Sequence, residues 1–150
     1  MKLLRFDSQL WVSAPRPLVF EFFSNPENLE RLTPDWLGFR IVTPRPIELQ
    51  AGARIDYRLR IHGLPIRWQS EISCWDPPSR FVDEQRRGPY RKWIHTHRFE
   101  EQEGGTLIVD EVRYWPLGGR LMNWLFVRRD VQRIFRYRSE VLRQFFDARE

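Results

Sequence analysis

The chain has 150 residues, of which 41% are hydrophobic and 15% aromatic, and this composition excludes an intrinsically disordered protein. The single cysteine, Cys74, cannot form an intramolecular disulfide, so we expect a reducing, cytoplasmic location. The formal net charge is +5, and residues 113–150 hold nine arginines against four acidic residues. The positive excess therefore lies at the C-terminal end, and residues 1–112 are balanced.

This basic end has two interpretations. Its arginines could bind an acidic partner or an anionic membrane surface, or they could be the solvated face of a helix. No nucleic-acid-binding motif accompanies them, so we expect no nucleic-acid partner. We also expect no transmembrane segment, because no apolar run reaches the roughly 20 residues that one needs. Arg5, Asp7 and Gln9 interrupt the first apolar stretch, which argues against a signal peptide.

The first 34 residues predict one strand followed by two short helices. Residues 3–12, LLRFDSQLWV, alternate apolar and polar side chains, as a half-buried strand does. Ser13 is the predicted cap of the first helix, whose first turn carries two prolines. Asn25 is the predicted cap of the second helix, which begins at Pro26.

Short runs separated by proline and glycine turns continue to residue 115 and predict six further strands in an antiparallel meander. One of these runs is residues 66–75. Alternation along this strand should give one face that contains Ile66, Trp68, Ser70, Ile72 and Cys74. We therefore expect Cys74 to pack in the core. His62 lies in the turn HGLP, where we expect it to be exposed to solvent.

The end of the chain changes to helical periodicity after the turn PLGG. Apolar residues recur at helical spacing with arginines opposite them, and the predicted apolar face contains Leu121, Leu125, Phe135, Leu142 and Phe145. This pattern predicts a long amphipathic helix that covers one face of the sheet. The fold class is therefore α+β, with a curved antiparallel sheet of about seven strands in one domain over residues 1–150.

The order of elements resembles the START-like superfamily, whose members are also called SRPBCC, helix-grip or Bet v 1-like proteins. The opening VSAPRPLVFEFFSNPENLERLTP and the terminal helix resemble the two ends of such a domain. The segment WDPPSRFVDEQRRGPYRKWIHTHRFE is similar to a branch of small bacterial ligand-binding or polyketide cyclase-like proteins. The resemblance covers essentially the whole chain. It implies a cavity between the sheet and the C-terminal helix, with a lipid, polyketide-like or other small hydrophobic ligand.

The segment YRKWIHTHRFE contains the most informative strand face, because period two aligns Trp93, His95, His97 and Phe99. The opposite face is more polar, so we expect the aromatic face to point inward. On the next strand we expect Asp110 to point inward with Val112 and Tyr114, where it could accept a hydrogen bond from His95 or His97. Asp83 and Gln85 of the preceding strand could add further polar groups.

The sequence leaves three roles open for the two histidines and Asp110. They could form the polar floor of a ligand pocket, or act as general acid and base in a cyclase or dehydratase. They could also form a buried structural network. The catalytic candidates are His95, His97 and Asp110. The ligand-binding candidates are Tyr57, Trp68, Asp83, Trp93, His95, His97, Asp110 and Tyr114.

Our main functional expectation is a non-enzymatic protein that binds an apolar or amphipathic molecule. The alternatives are the cyclase-like enzyme and an interaction module that uses the arginine-rich helix, including Arg128, Arg129, Arg133 and Arg136. No phosphate loop, nucleophile elbow, HExxH or CxxC motif is present, which argues against a hydrolase, kinase, redox protein or zinc protease. We expect no cofactor. The His-x-His pair could supply two zinc ligands, with Asp110, Asp83 or Cys74 as a third, but the sequence singles out none of these, so we assign no metal site.

Overall fold

A computed structural model describes residues 2–146 and 148–149. Its strands are β1 (Leu4–Val12), β2 (Arg40–Ile41), β3 (Arg54–Ile61), β4 (Leu64–Asp76), β5 (Arg80–Arg87), β6 (Tyr90–Gln102), β7 (Gly105–Pro116) and β8 (Ala148–Arg149). They form one sheet in the order β2-β3-β4-β5-β6-β7-β1-β8, and every pair is antiparallel.

The helices lie between β1 and β2 and after β7. They are α1 (Arg16–Ser24), α2 (Pro26–Arg31), a 3-10 turn (Asp35–Leu37), α3 (Gly119–Met122), a π-helical segment (Asn123–Val127) and α4 (Arg128–Phe145). The last three are continuous, and we call them together the C-terminal helix. No helix in the described part of the chain is long and apolar enough to cross a membrane.

The predicted helix-grip fold is confirmed: a curved antiparallel sheet holds a long C-terminal helix, and two short helices follow β1. Two details differ at the edges of the sheet. The predicted second strand is reduced to the two residues of β2, and the two-residue β8, which the sequence did not predict, pairs with Trp11 and Val12.

The start of α1 differs from the prediction. Pro15 is the residue before the helix, and its carbonyl accepts hydrogen bonds from the N–H groups of Leu18 and Val19 at 3.0 and 3.1 Å. Ser13 lies too far upstream to act as the cap, so that prediction is wrong. The prediction for α2 is confirmed, because the Asn25 side chain accepts a hydrogen bond from the N–H of Glu27.

An irregularity in β4 changes which side chains point inward. The pairing of β4 with β5 shifts register between Ile72 and Cys74. Beyond the shift Trp75 takes the inward position, where its ring lies 5.0 Å from Phe20 and 5.5 Å from Phe81. Cys74 is consequently only half-buried, and the prediction that it packs in the core is wrong.

The buried face of the C-terminal helix is narrower than predicted. In α4 it consists of Val131, Phe135, Arg138 and Leu142. The side chains of Leu121, Leu125 and Phe145 are 65%, 43% and 53% exposed, so their predicted burial is wrong. The π-helical segment explains why Leu121 and Leu125 are exposed, because its wider turn rotates the upstream part of the helix relative to α4.

Two apolar clusters fill the space between the sheet and the helices. The larger one surrounds Phe20, Phe99 and Leu142, which are 5%, 1% and 2% exposed. The smaller one contains Val112, Tyr114, Val131 and Phe135. A layer of polar side chains separates these clusters and forms the site described below.

The revised helix face makes a prediction for stability. Replacing the buried Leu142 by alanine should lower the free energy of unfolding by about 2–5 kcal/mol, because it removes packed methyl groups and leaves a cavity. Leu121→Ala is the matched control on the same helix and should cost less than about 0.5 kcal/mol. Urea denaturation measures both, and equal losses would contradict the observed register.

Candidate functional site

Five side chains from three strands and the C-terminal helix form a buried polar cluster. They are Asp83 of β5, His95 and His97 of β6, Asp110 of β7 and Arg138 of α4. All except Asp83 are at most 6% exposed, and the Asp83 side chain is 20% exposed. The inward direction expected for the two histidines and Asp110 is confirmed.

The two histidines bind carboxylates on opposite sides of β6. His95 Nε2 lies 2.8 Å from Asp110 Oδ1, whereas His97 Nε2 lies 2.6 Å from Asp83 Oδ2. In the strand register His95 is opposite Asp83 and His97 is opposite Asp110, so both bonds run diagonally. The imidazole rings stack with their centroids 3.6 Å apart, and the predicted hydrogen bond between Asp110 and a histidine is made by His95.

Arg138 connects this strand network to the helix. Its Nη2 donates to Asp110 Oδ1 at 3.1 Å and to His97 Nδ1 at 3.4 Å. Its guanidinium also lies 5.0 Å from the centre of the Phe23 ring and 5.6 Å from that of Phe135. The sequence pattern did not identify Arg138, because the arginines of this helix were expected on the side opposite its apolar face.

The hydrogen bonds define the tautomer of His97. Because Nδ1 accepts a hydrogen bond from Arg138, the ring proton of neutral His97 lies on Nε2 and is donated to Asp83. Burial and the neighbouring charge of His95 lower the pKa of His97 to about 4, against an ordinary value of 6.5. Its hydrogen bond to Asp83 opposes this shift only in part, so His97 is neutral at pH 7.

Both carboxylates in the cluster are ionised. Burial alone would raise the pKa of Asp110, but the charge of Arg138 and the hydrogen bond from His95 outweigh it and hold that pKa well below its usual range. The pKa of Asp83 is also lowered, since the hydrogen bond from His97 and the nearby positive charges outweigh the effect of burial. The cluster therefore contains two buried carboxylates, which face the Arg138 guanidinium and the two imidazoles.

A second group of side chains, which we call the aromatic wall, lies on the same face of the sheet. It consists of Trp68, Tyr90, Trp93 and Tyr114, whose neighbouring rings lie 4.9–6.1 Å apart. Trp68, Tyr90 and Trp93 are only half-buried. The Tyr114 hydroxyl donates to Asn123 Oδ1 at 2.7 Å, which joins the wall to the π-helical segment.

The aromatic wall and the polar cluster are neighbours along β6 and β7. Trp93 pairs with Tyr114, and the next inward pair is His95 with Val112. Successive inward residues of a strand are about 7 Å apart, so the wall lies one side-chain row from His95. Both groups therefore face the C-terminal helix from adjacent positions.

Most of the predicted site residues fall into these two groups. Tyr57 belongs to neither group, although it is the cross-strand partner of Trp68; it is buried against Phe39, with ring centroids 4.9 Å apart. Gln85 is also separate, because it exchanges hydrogen bonds with the backbone of Tyr90 at 2.7 and 3.1 Å. The spacing of Arg138 from Phe135 and Leu142 was the signal that could have identified it as a buried residue.

Three members of the cluster have the donor types of a metal site. Ligand atoms of Asp83, His95 and His97 lie within 4.8 Å of one another. In this arrangement, however, a hydrogen bond joins His97 to Asp83, and the Arg138 guanidinium lies 3.4 Å from the other nitrogen of His97. That fixed positive charge opposes the binding of a cation, so we propose no metal site here.

Two of the surface clefts formed by the described residues have volumes of about 220 and 360 Å³. The first is lined chiefly by outward-facing side chains of β3, β4 and β5, among them Asp56, Arg58 and Arg67. The second is lined by residues 15–17 and 101–105. Neither cleft lies between the sheet and the C-terminal helix, where a ligand cavity was expected and where aromatic rings and the polar cluster fill the space.

Other proteins share this architecture, which is that of the Bet v 1-like helix-grip fold. A protein from Arthrobacter aurescens has a TM-score of 0.73 and 16% identity, over 94% of this chain and 87% of that one. Ginseng major latex-like protein 151 from Panax ginseng has a TM-score of 0.70 and 10% identity, over 97% and 98%. The protein TTHA0849 from Thermus thermophilus has a TM-score of 0.67 and 20% identity, over 94% and 92%. Such identities establish the fold alone.

The sequence assigns the chain to a family within this fold. Residues 12–136 match the family described as "Polyketide cyclase / dehydrase and lipid transport", and the chain belongs to this family. No curated protein sequence matches it. The family and the fold together are those of ligand-binding helix-grip proteins.

The Arg138–Asp110 contact should be essential for stability. Arg138→Met leaves the Asp110 carboxylate buried without its cation, so we expect the free energy of unfolding to fall by about 3–5 kcal/mol. Arg136→Met, at an exposed position of the same helix, should change it by less than about 0.5 kcal/mol. Adding Asp110→Asn to Arg138→Met should restore part of the loss. Urea denaturation that gave equal effects for both arginines would contradict this role.

The low pKa of His97 should make stability fall with acidification. Below pH 6.5 the unfolded chain binds a proton at this residue that the folded protein does not bind until the pH nears 4. This difference should lower the free energy of unfolding by about 2 kcal/mol between pH 7 and 5. His97→Gln should lose this part of the pH dependence, whereas the exposed control His62→Gln should keep it.

A second readout does not depend on the His97→Gln variant folding. Nuclear magnetic resonance of the imidazole nitrogens should show His97 of the unaltered protein still neutral at pH 5, with its proton on Nε2. A protonated His97 at that pH would contradict the electrostatic account of the cluster.

Proposed function

We propose that this protein binds an apolar or amphipathic small molecule against the aromatic wall, where the molecule would displace side chains that pack between the sheet and the C-terminal helix in this structure. The observation that carries the proposal is the wall itself. Four contacting aromatic rings lie on the inner face of the sheet, and three of them are only half-buried. Ligand sites of this kind combine apolar and aromatic walls with a few polar groups, and membership of a family that includes lipid transport agrees with such a role.

The polar cluster would form the floor of this site. Among the residues that the structure describes, Arg138 Nε is a buried donor that has no hydrogen-bond partner. Two carboxylates already face the Arg138 guanidinium, so an added anion would be repelled. A neutral carbonyl or hydroxyl oxygen fits this environment better than a carboxylate, which favours a ligand with an apolar body and an uncharged polar end.

The cyclase or dehydratase alternative is supported by a different observation. Asp110 accepts a hydrogen bond from His95, the arrangement that orients an imidazole for general acid–base work. The family description also includes such enzymes. In this alternative His95 or His97 would transfer the proton and the bound molecule would leave altered, whereas a carrier would release it unchanged.

Binding of a neutral fluorescent probe tests the main proposal. N-phenyl-1-naphthylamine should bind the unaltered protein with increased emission. Trp93→Gln places a polar side chain in the wall and should weaken that binding by about tenfold or more. Trp36→Gln is the matched control, because Trp36 lies in the 3-10 turn outside the wall and is 50% exposed.

The outcomes separate the alternatives once thermal unfolding shows that both variants fold. Equal affinity in Trp93→Gln and Trp36→Gln, or no binding by the unaltered protein, would overturn the proposed site. Native mass spectrometry followed by denaturing extraction would identify a bound molecule. Recovery of that molecule unchanged after incubation supports a carrier, and conversion that depends on His95 supports the enzyme.

A further inference from the structure

The start of the C-terminal helix exposes an unusual amount of apolar surface. We call this surface the apolar patch, and its members are Leu117, Leu121, Met122, Trp124, Leu125 and Phe126. Their exposed fractions run from 37% for Met122 to 71% for Trp124. Soluble proteins rarely expose so many large apolar side chains within ten residues, and such a patch usually marks an interaction surface.

The fold holds the patch outward. Between residues 120 and 127 only Asn123 and Val127 are half-buried, and these two positions face the sheet. Asn123 is fixed there by the hydrogen bond from the Tyr114 hydroxyl at 2.7 Å. With these positions on the sheet side, the remaining apolar side chains of α3 and the π-helical segment point to solvent.

The β3–β4 hairpin lies beside the patch. Its Leu64, the first residue of β4, is 66% exposed. His62 of the hairpin turn forms a hydrogen bond with Asp130 through Nε2 at 2.8 Å, and its ring lies 5.6 Å from that of Phe126. The predicted exposure of His62 is confirmed, but these contacts also fix the turn beside the patch.

The charges next to the patch along the chain are mainly positive, and the nearest acidic residue in sequence, Asp130, is hydrogen-bonded to His62. Residues 112–129 contain four arginines and no acidic residue. Arg120 precedes the patch on the helix and Arg128 and Arg129 follow it, and all three are exposed. Exposed Trp, Phe and Leu side chains flanked by arginines are the composition of a surface that lies at the interface of an anionic membrane.

We propose that the apolar patch docks on the surface of a membrane that contains anionic phospholipid. Trp124, Leu125 and their neighbours enter the boundary between headgroups and acyl chains, and the flanking arginines contact lipid phosphates. A second copy of the chain fits less well, because a twofold interface through this short patch would bring the same arginines of both copies together. This inference concerns the location of the protein and does not depend on the proposed ligand site.

Vesicle co-sedimentation tests the proposal. Full-length protein should bind vesicles of phosphatidylcholine with about 30% phosphatidylserine, bind pure phosphatidylcholine at least about tenfold more weakly, and dissociate at about 0.5 M salt. The double variants Trp124→Ser/Leu125→Ser and Arg128→Gln/Arg129→Gln should each weaken binding by about tenfold or more. Leu18→Ser is the matched control, because Leu18 is 54% exposed on α1, outside the patch, and it should bind like the unaltered protein.

A spectroscopic readout locates the contact. Binding should shift the tryptophan emission of the unaltered protein to shorter wavelength, and Trp124→Phe should lose most of that shift while still binding. Binding that persists in the Trp124→Ser/Leu125→Ser variant, or no binding to either vesicle, would overturn the proposal. So would a concentration-dependent dimer that this variant abolishes, because the occupant of the patch would then be a second copy.

Discussion

The contact between Arg138 and Asp110 joins the C-terminal helix to the sheet, and the rest of the interior is arranged around it. Each group is at most 6% exposed, so each has lost most of its hydration. That loss is tolerable only when the two charges meet and the remaining polar atoms find partners. His95 provides the second hydrogen bond to Asp110, and His97 provides an acceptor for Arg138. The charged pair is therefore stable only when the helix and β6 and β7 are all in place.

This requirement fixes the register of the helix against the sheet. Arg138 lies on the same helix face as Phe135 and Leu142, which enter the smaller and the larger apolar cluster respectively. Nearer its start, the helix is held a second time, where Tyr114 donates to Asn123. The π-helical segment lies between that start and α4, and its wider turn lets both contacts form in one continuous helix. Exposure of Leu121 and Leu125 is a consequence of satisfying both.

Periodicity predicted the architecture and much of the site because successive side chains of a strand point to opposite faces of the sheet. It correctly predicted that His95, His97 and Asp110 point inward and that a histidine forms a hydrogen bond with Asp110. It failed where a contact from elsewhere in the fold overrides local pattern. The spacing of Arg138 from Phe135 and Leu142 indicates a buried position, but the partner that makes burial of this arginine tolerable, Asp110, is known only from the fold. The inward position of Trp75 depends on a register shift that the composition of β4 does not reveal.

The polarity of the interior changes along the C-terminal helix. The apolar patch begins the helix, Val127 and Val131 lie near the aromatic wall, and Arg138 reaches the polar cluster. From Trp124 to Arg138 the helix rises by about 21 Å, the length of a medium-sized lipid tail. A molecule entering from a membrane at the patch would meet aromatic side chains first and polar groups last. That order suits an elongated molecule with an uncharged polar end, and if both proposals hold, the exposed start of the helix and the buried arginine would belong to one binding path.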